Sequence, residues 1–193
     1  VYPTAHFSYE MNENNKLQLS YSRRVHRPRT HYLNPYESKS DPYLIRKGNP
    51  DLKPEYANSF ELNYLRYFDK SFVSLSLFSR ITNNSFGRIQ QPIDENILLL
   101  TFENINNETS TGVELSGRHQ FAKWFQVNAN YSFFRYTIDG YSENGEDLSN
   151  ESMNHKLRFN GMFRFSKNSS ASLFAMWFSP TVTSQGERDG FYF

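Results

Sequence analysis

Thr111-Gly112-Val113-Glu114-Leu115-Ser116-Gly117-Arg118-His119-Gln120-Phe121 carries the chain's main signal, an alternation of apolar and polar side chains. Val113, Leu115, Gly117, His119 and Phe121 share one face of an extended chain, while Glu114, Ser116, Arg118 and Gln120 share the other. Successive side chains of a strand point to opposite faces, so a sustained period of two means a strand with one apolar and one polar side. The next stretch repeats it: Phe125, Val127, Ala129, Tyr131 and Phe133 alternate with Gln126, Asn128, Asn130 and Ser132. A third sets Leu157, Phe159, Gly161, Phe163 and Phe165 against Lys156, Arg158, Asn160, Met162 and Arg164. No helical period fits any of them.

Working outward, weaker alternation extends the pattern along the chain. It predicts strands near 4–11, 16–26, 56–68, 71–83, 109–121, 124–138, 153–165 and 171–181. That makes about eight strands, each antiparallel to its neighbour. They exceed the usual globular length of ~5–6 residues and suit the ~9–11 that a tilted strand needs to cross a bilayer. The connections at 11–15, 69–70, 122–123 and 166–170 are short; those at 27–55, 84–108 and 139–152 are long and polar. Short turns at one end and long loops at the other is the plan of outer-membrane barrels. Aromatic girdles belong at the interfaces, and Phe121, Trp124 and Phe125 flank one short turn while Tyr67, Phe68 and Phe72 flank another. Arg80, Arg118, Arg158, Arg164, Glu61 and Glu114 fall on the polar face, where a lumen would hold them. The expected fold is therefore an all-β, antiparallel, up-and-down transmembrane β-barrel. Alternation alone also admits a soluble β-sandwich or barrel, in this case one binding carbohydrate on its loops.

Composition sets the outer bounds. The 193 residues include 18 Phe, 13 Tyr and 2 Trp, too much apolar mass for a disordered segment. No apolar run approaches the ~20 residues of a membrane helix. A net charge of +1 creates no field that would recruit nucleic acid. The absence of cysteine removes disulfides, thiolate catalysis and cysteine-based zinc sites. The first residues show no basic segment leading into an apolar one, so the expectation is a start within a longer protein or behind a removed leader.

Three further stretches carry a resemblance. They are Leu19-Ser20-Tyr21-Ser22-Arg23-Arg24-Val25-His26-Arg27-Pro28, then Leu33-Asn34-Pro35-Tyr36, then Gly48-Asn49-Pro50-Asp51-Leu52-Lys53-Pro54-Glu55-Tyr56. Together, and with Thr111-Gly112-Val113-Glu114-Leu115 as a strand opening, they resemble the barrel of TonB-dependent outer-membrane receptors, above all the Bacteroidetes-type β-barrel family. The resemblance runs in order along nearly the whole chain. It implies the later part of a barrel of about 22 strands with a plugged lumen. It also implies nutrient import (iron chelates, cobalamin, glycans or peptides) driven by the TonB complex through a plug that is not in view here. The implied partners are outer-membrane lipid, a small-molecule or glycan ligand and a surface lipoprotein. A self-closed eight-stranded barrel with a structural or adhesive role is the alternative, since about eight strands can close.

Residue chemistry points to binding rather than catalysis. The five histidines lie on separate segments, and no serine sits in a nucleophile elbow, so no enzyme, cofactor or metal is expected. The segment from Gly48 through Asn49, Pro50, Asp51, Leu52, Lys53 and Pro54 to Glu55 reads as a stiff turn entering a strand. Its prolines exclude helix, Gly48 permits a positive φ, and Glu55 can accept from nearby amides. Tyr32, Tyr36 and Tyr43 in the first long loop, and Tyr141 in the third, are expected to be exposed and suited to stacking on a glycan or siderophore. Arg27 and Arg29 supply cations beside them for an anionic ligand. The acidic loop 139–147 lacks the order of an EF-hand and is expected to be a plain external loop. Asn-X-Ser/Thr triplets at Asn83, Asn107, Asn130, Asn150 and Asn168 are read as chance in so Asn-rich a chain.

Overall fold

The computed structural model describes residues 2–105, 107–141, 145 and 147–192. In chain order the elements are β1 (Thr4–Asn12), β2 (Asn15–His26), the one-turn helix α1 (Thr30–Leu33), β3 (Ser38–Asp41) and β4 (Leu44–Arg46). There follow β5 (Glu55–Phe68), β6 (Ser71–Asn83), β7 (Phe86–Asp94), β8 (Ile97–Asn104), β9 (Asn107–Ala122) and β10 (Phe125–Asp139). The last are β11 (Asn150–Arg164), β12 (Ser170–Phe178), β13 (Thr181–Thr183), β14 (Gly186–Arg188) and β15 (Phe191–Tyr192).

The wall is a nine-stranded antiparallel sheet ordered β1-β2-β5-β6-β9-β10-β11-β12-β15. Each strand pairs with the next wall strand in the chain, which is the up-and-down topology that short turns enforce. The order is open: β1 and β15 stand at opposite edges rather than beside each other. At the short-turn end Asn12 organises the first hairpin, its carboxamide oxygen accepting from the Asn14 amide at 3.1 Å.

Register turns the alternation of single strands into rows across the sheet. Tyr9, Leu17, Tyr64, Leu75, Leu115, Tyr131, Leu157, Trp177 and Tyr192 are successive cross-strand partners. One rung away lies Ser8, Gln18, Asn63, Ser76, Glu114, Ser132, Lys156 and Phe178, on the opposite face. Burial is inverted relative to a water-soluble sheet. Leu115 is 49% exposed whereas Ser132, its neighbour across the sheet on the other face, is 6% exposed. Leaving a continuous apolar row outside and polar groups inside is stable only where the outside is hydrocarbon. At the short-turn end the outward face closes on a band of rings: Phe121 stacks on Phe125 at 5.3 Å, and Phe125 on Phe163 at 4.7 Å.

The long links differ from the plain loops expected of them. They hold a second, four-stranded sheet ordered β3-β4-β8-β7, in which β4 and β8 run parallel. Sequence alternation does not reveal it because Ile97, Leu98, Leu99 and Leu100 form an unbroken apolar run, which carries no period of two. A small core lies under this sheet, where Ile89, Ile105, Ile138 and Leu148 are all buried. It joins β7, the link after β8, the end of β10 and the third long loop, so the long-loop end is a packed body. The acidic loop 139–147 falls partly outside the described residues; of those described, Tyr141 bridges to Asp147.

Candidate functional site

Two structures at the long-loop end bear on function: a clip that fixes the first long loop, and a cavity roofed by β7 and the β13–β14 hairpin. The clip is built from residues 48–55. Gly48 does not use the positive φ open to it. It is needed for close approach: a Cβ there would lie 2.6 Å from the carbonyl oxygens of both Tyr32 and Asn34. The Gly48 amide donates to the Asn34 carbonyl at 2.8 Å and the Asn49 amide to the Tyr32 carbonyl at 2.7 Å. Asn49 then reaches across, its side-chain amide donating to the Phe102 carbonyl at 3.1 Å in β8, while its carboxamide oxygen takes the Asp51 amide at 2.9 Å. Leu52 is buried beneath the turn. Asn104 completes the tie, accepting from the Lys53 amide at 2.9 Å and donating to the Lys53 carbonyl at 3.1 Å. Pro50 and Pro54 remove donors that would otherwise need partners in this crowded turn.

Glu55 is the hinge between clip and wall. One carboxylate oxygen accepts the Phe86 amide at 2.9 Å, and the other lies 2.7 Å from His26 Nδ1. His26 also stacks on the Phe86 ring at 5.3 Å. The acceptor role foreseen for Glu55 is thus realised through the first amide of β7, and His26, at the end of β2, is its partner on the other oxygen.

The tyrosines separate into two groups. Tyr32 belongs to the clip: its ring packs on Phe102 at 4.2 Å and edge-on to Phe86 at 6.0 Å. This corrects the expectation of exposure, because α1 turns that side chain inward onto β8. Tyr36, Tyr43 and Tyr141 are outward and free of the core, at 77%, 66% and 59% exposure. Arg27 donates to the Tyr2 hydroxyl at 3.2 Å, and Arg29 precedes α1 on the exposed side.

The cavity opens on the polar face of β9, β10 and β11, below the external sheet, with a volume of about 640 Å³. Its wall side is Glu108, Ser110, Phe134, Tyr136 and Lys156; its roof is Arg88 of β7 with Val182 and Arg188 of the β13–β14 hairpin. That hairpin is tied to β7 through Gln185, whose oxygen accepts the Gln90 amide at 2.8 Å and whose nitrogen donates to the Gln90 carbonyl at 3.1 Å. Lys156 lies over the Phe134 ring at 4.8 Å and the Phe178 ring at 5.9 Å, a cation held between two aromatics. Sequence reasoning missed this roof, because 181–188 carries no alternation and its partner Gln90 lies 95 residues away. Deeper along the same face a polar groove holds Glu61, Arg80, Glu114 and Arg158, with the Ser132 hydroxyl donating to Glu114 at 2.8 Å. Mixed charges, hydroxyls and rings on a concave wall can bind a polar ligand through several weak contacts. Among the described residues no three His, Asp or Glu side chains converge as a metal site.

Comparison with known proteins agrees with this geometry. The profile of the "Outer membrane protein beta-barrel family" matches residues 1–193. The siderophore receptor PirA from Pseudomonas aeruginosa superposes with a TM-score of 0.64 at 16% identity, covering 99% of this chain and 32% of that one. The ferric enterobactin receptor PfeA of the same organism gives 0.59 at 18% identity, with 99% and 31% covered. The copper transporter OprC gives 0.61 at 12% identity, with 98% and 30% covered. The chain therefore spans about a third of the length of the solved structures it matches. No curated sequence matches it significantly.

Proposed function

Given that the chain belongs to the outer membrane protein beta-barrel family, an outer-membrane protein by that membership, we propose that it forms part of the barrel of a TonB-dependent receptor importing a scarce nutrient. The observation that carries this reading is the open wall itself. It has an apolar row outside, a polar groove inside, and a roofed cavity where the groove meets the long-loop end. A barrel closed on eight strands would set β1 beside β12, whereas the sheet order leaves the two far apart. A soluble β-domain would bury the row that includes Leu75, Leu115 and Leu157, all of which are exposed.

In this reading the exposed Tyr36, Tyr43 and Tyr141, with Arg27 and Arg29, meet the ligand first, and the clip of residues 48–55 holds their loop in place. The cavity lined by Arg88, Lys156 and Tyr136 receives the ligand next. The ligand class is an iron chelate, cobalamin, glycan or peptide, with PirA and PfeA favouring the chelate through the siderophore and ferric enterobactin of their names. A plug domain would couple the receptor to the TonB complex, and a surface lipoprotein is a further proposed partner. No catalytic step or cofactor enters.

The test is uptake by cells expressing the whole receptor, offered iron-loaded siderophores, cobalamin and labelled oligosaccharides in turn. Uptake of one class, lost on disabling the energy-coupling complex and reduced by Tyr36→Ala with Tyr43→Ala, supports the reading. Uptake of none, or uptake indifferent to coupling, refutes it.

A further inference from the structure

The outward face of the wall is interrupted by a groove of about 570 Å³ near the short-turn end. Large side chains bound it: Leu115, Tyr131 and Leu157 on the side of the bilayer centre, Phe68 and Phe121 on the other. Between them the cross-strand partners Val73, Gly117 and Ala129 form the floor. Gly117 is the informative position. A Cβ there would meet nothing closer than the Phe72 carbonyl at 3.4 Å and the Val73 methyl at 3.9 Å. Its φ is not positive either, so neither the backbone nor its neighbours require glycine. The consequence of its missing side chain is depth in the groove.

Polarity is confined to the short-turn end. His119 lies one rung beyond Gly117, with Nδ1 2.5 Å from the Ser71 hydroxyl, and meets Phe121 edge-on at 4.4 Å. Arg66 is the outward cross-strand partner of Val73, and its guanidinium lies 5.1 Å above the Phe68 ring. It therefore bends toward the turns, as a lipid-facing arginine does when its charge reaches for the headgroup layer. Lys70 stands in the adjoining turn and Lys123 in the next, and the carboxylates beside these three cations are Asp69 and, in the β1–β2 turn, Glu13. The apolar slot thus ends in a positively balanced rim at the level of the headgroups.

We propose that this groove is a lipid site. It holds one acyl chain of a glycerophospholipid from the periplasmic leaflet, the side on which short barrel turns lie, with its phosphate on Arg66 and Lys70. The volume suits a single bound molecule, since small-ligand sites run to ~300–1,000 Å³. An anionic headgroup also offsets the cost of an arginine on the lipid face. This inference rests on outer-membrane residence and is independent of which nutrient, if any, the receptor carries.

Native mass spectrometry of the whole receptor in detergent, titrated with phosphatidylglycerol, tests it. One molecule retained by the native protein, with affinity at least tenfold lower for Gly117→Leu and for Arg66→Gln, is the expected result. Ala175→Leu makes a similar enlargement on the same face outside the groove and should bind as the native protein does. Gly117→Ala, whose methyl has room, serves should the leucine variant fail to show the gel-mobility shift of a folded barrel. Native affinity in a folded Gly117→Leu, or in Gly117→Ala where only that variant folds, overturns the site. Equal retention of diacylglycerol overturns the role of the phosphate, and preferential retention of lipopolysaccharide overturns the leaflet.

Discussion

Adding one methyl group at Gly48 should loosen the whole first long loop. The Cβ of Gly48→Ala would lie 2.6 Å from the carbonyl oxygens of Tyr32 and Asn34 and 2.7 Å from the Asn34 amide nitrogen. All three are backbone atoms, so no rotamer change relieves the clash. Overpacking of this kind costs about 1–3 kcal/mol. Separating the strands far enough to avoid it stretches the Gly48–Asn34 and Asn49–Tyr32 bonds, now 2.8 and 2.7 Å, each worth about 0.5–1.5 kcal/mol. The lower bound, roughly 2 kcal/mol, corresponds to about a 30-fold rise in local opening, at 1.4 kcal/mol per factor of ten. Hydrogen exchange of the full-length protein in detergent reads this directly. Amides of residues 30–54 should exchange at least tenfold faster, with those of β5, β6 and β9 unchanged. Unaltered protection in residues 30–54 would refute the claim that Gly48 is chosen for close approach.

Three further outcomes follow from the same physics. Leu115→Arg, on the outward row near the middle of β9, should destabilise the barrel by about 2–4 kcal/mol, while Ser116→Arg on the polar face should cost far less; denaturant refolding into vesicles compares them. Glu55→Ala removes the acceptor of the Phe86 amide and the partner of His26, and should raise protease cleavage within 86–104. Glu55→Gln keeps a carbonyl acceptor and should restore most of the protection. The carboxyl of Asp147 is held below its ordinary value by hydrogen bonds from the Ser149 hydroxyl and amide. A depressed value means the turn's contribution is complete above the free-chain value near ~3.9 and is lost as pH falls through the lower folded value. The Ser149 amide resonance should therefore titrate with a midpoint below ~3.9, and a midpoint at or above it would contradict the bond.

The wall was legible in the sequence because its physics is local. One apolar and one polar side per strand, repeated from 109 to 165, needs no knowledge of partners. The external sheet was not. β4 pairs in parallel with a strand more than 50 residues later, through an apolar run whose period is silent. Residues 48–55 were legible as a stiff structural turn, yet the reason for Gly48 is contact with Tyr32 and Asn34, which only the folded chain supplies. Tyr32 and Tyr36 looked alike as loop aromatics, but α1 turns one onto Phe102 and leaves the other outside.

The exposed apolar face of the wall meets lipid and the polar face meets water. This chain contains no cysteine, which makes a spin-label scan of β9 direct once any cysteine elsewhere in the full-length protein is removed. Labels placed singly from position 113 to position 118, in the folded full-length protein in bilayers, should alternate. Positions 113, 115 and 117 should be relaxed mainly by oxygen dissolved in the lipid, and 114, 116 and 118 mainly by a water-soluble nickel chelate. Equal access of the chelate to both sets would mean that both faces meet water.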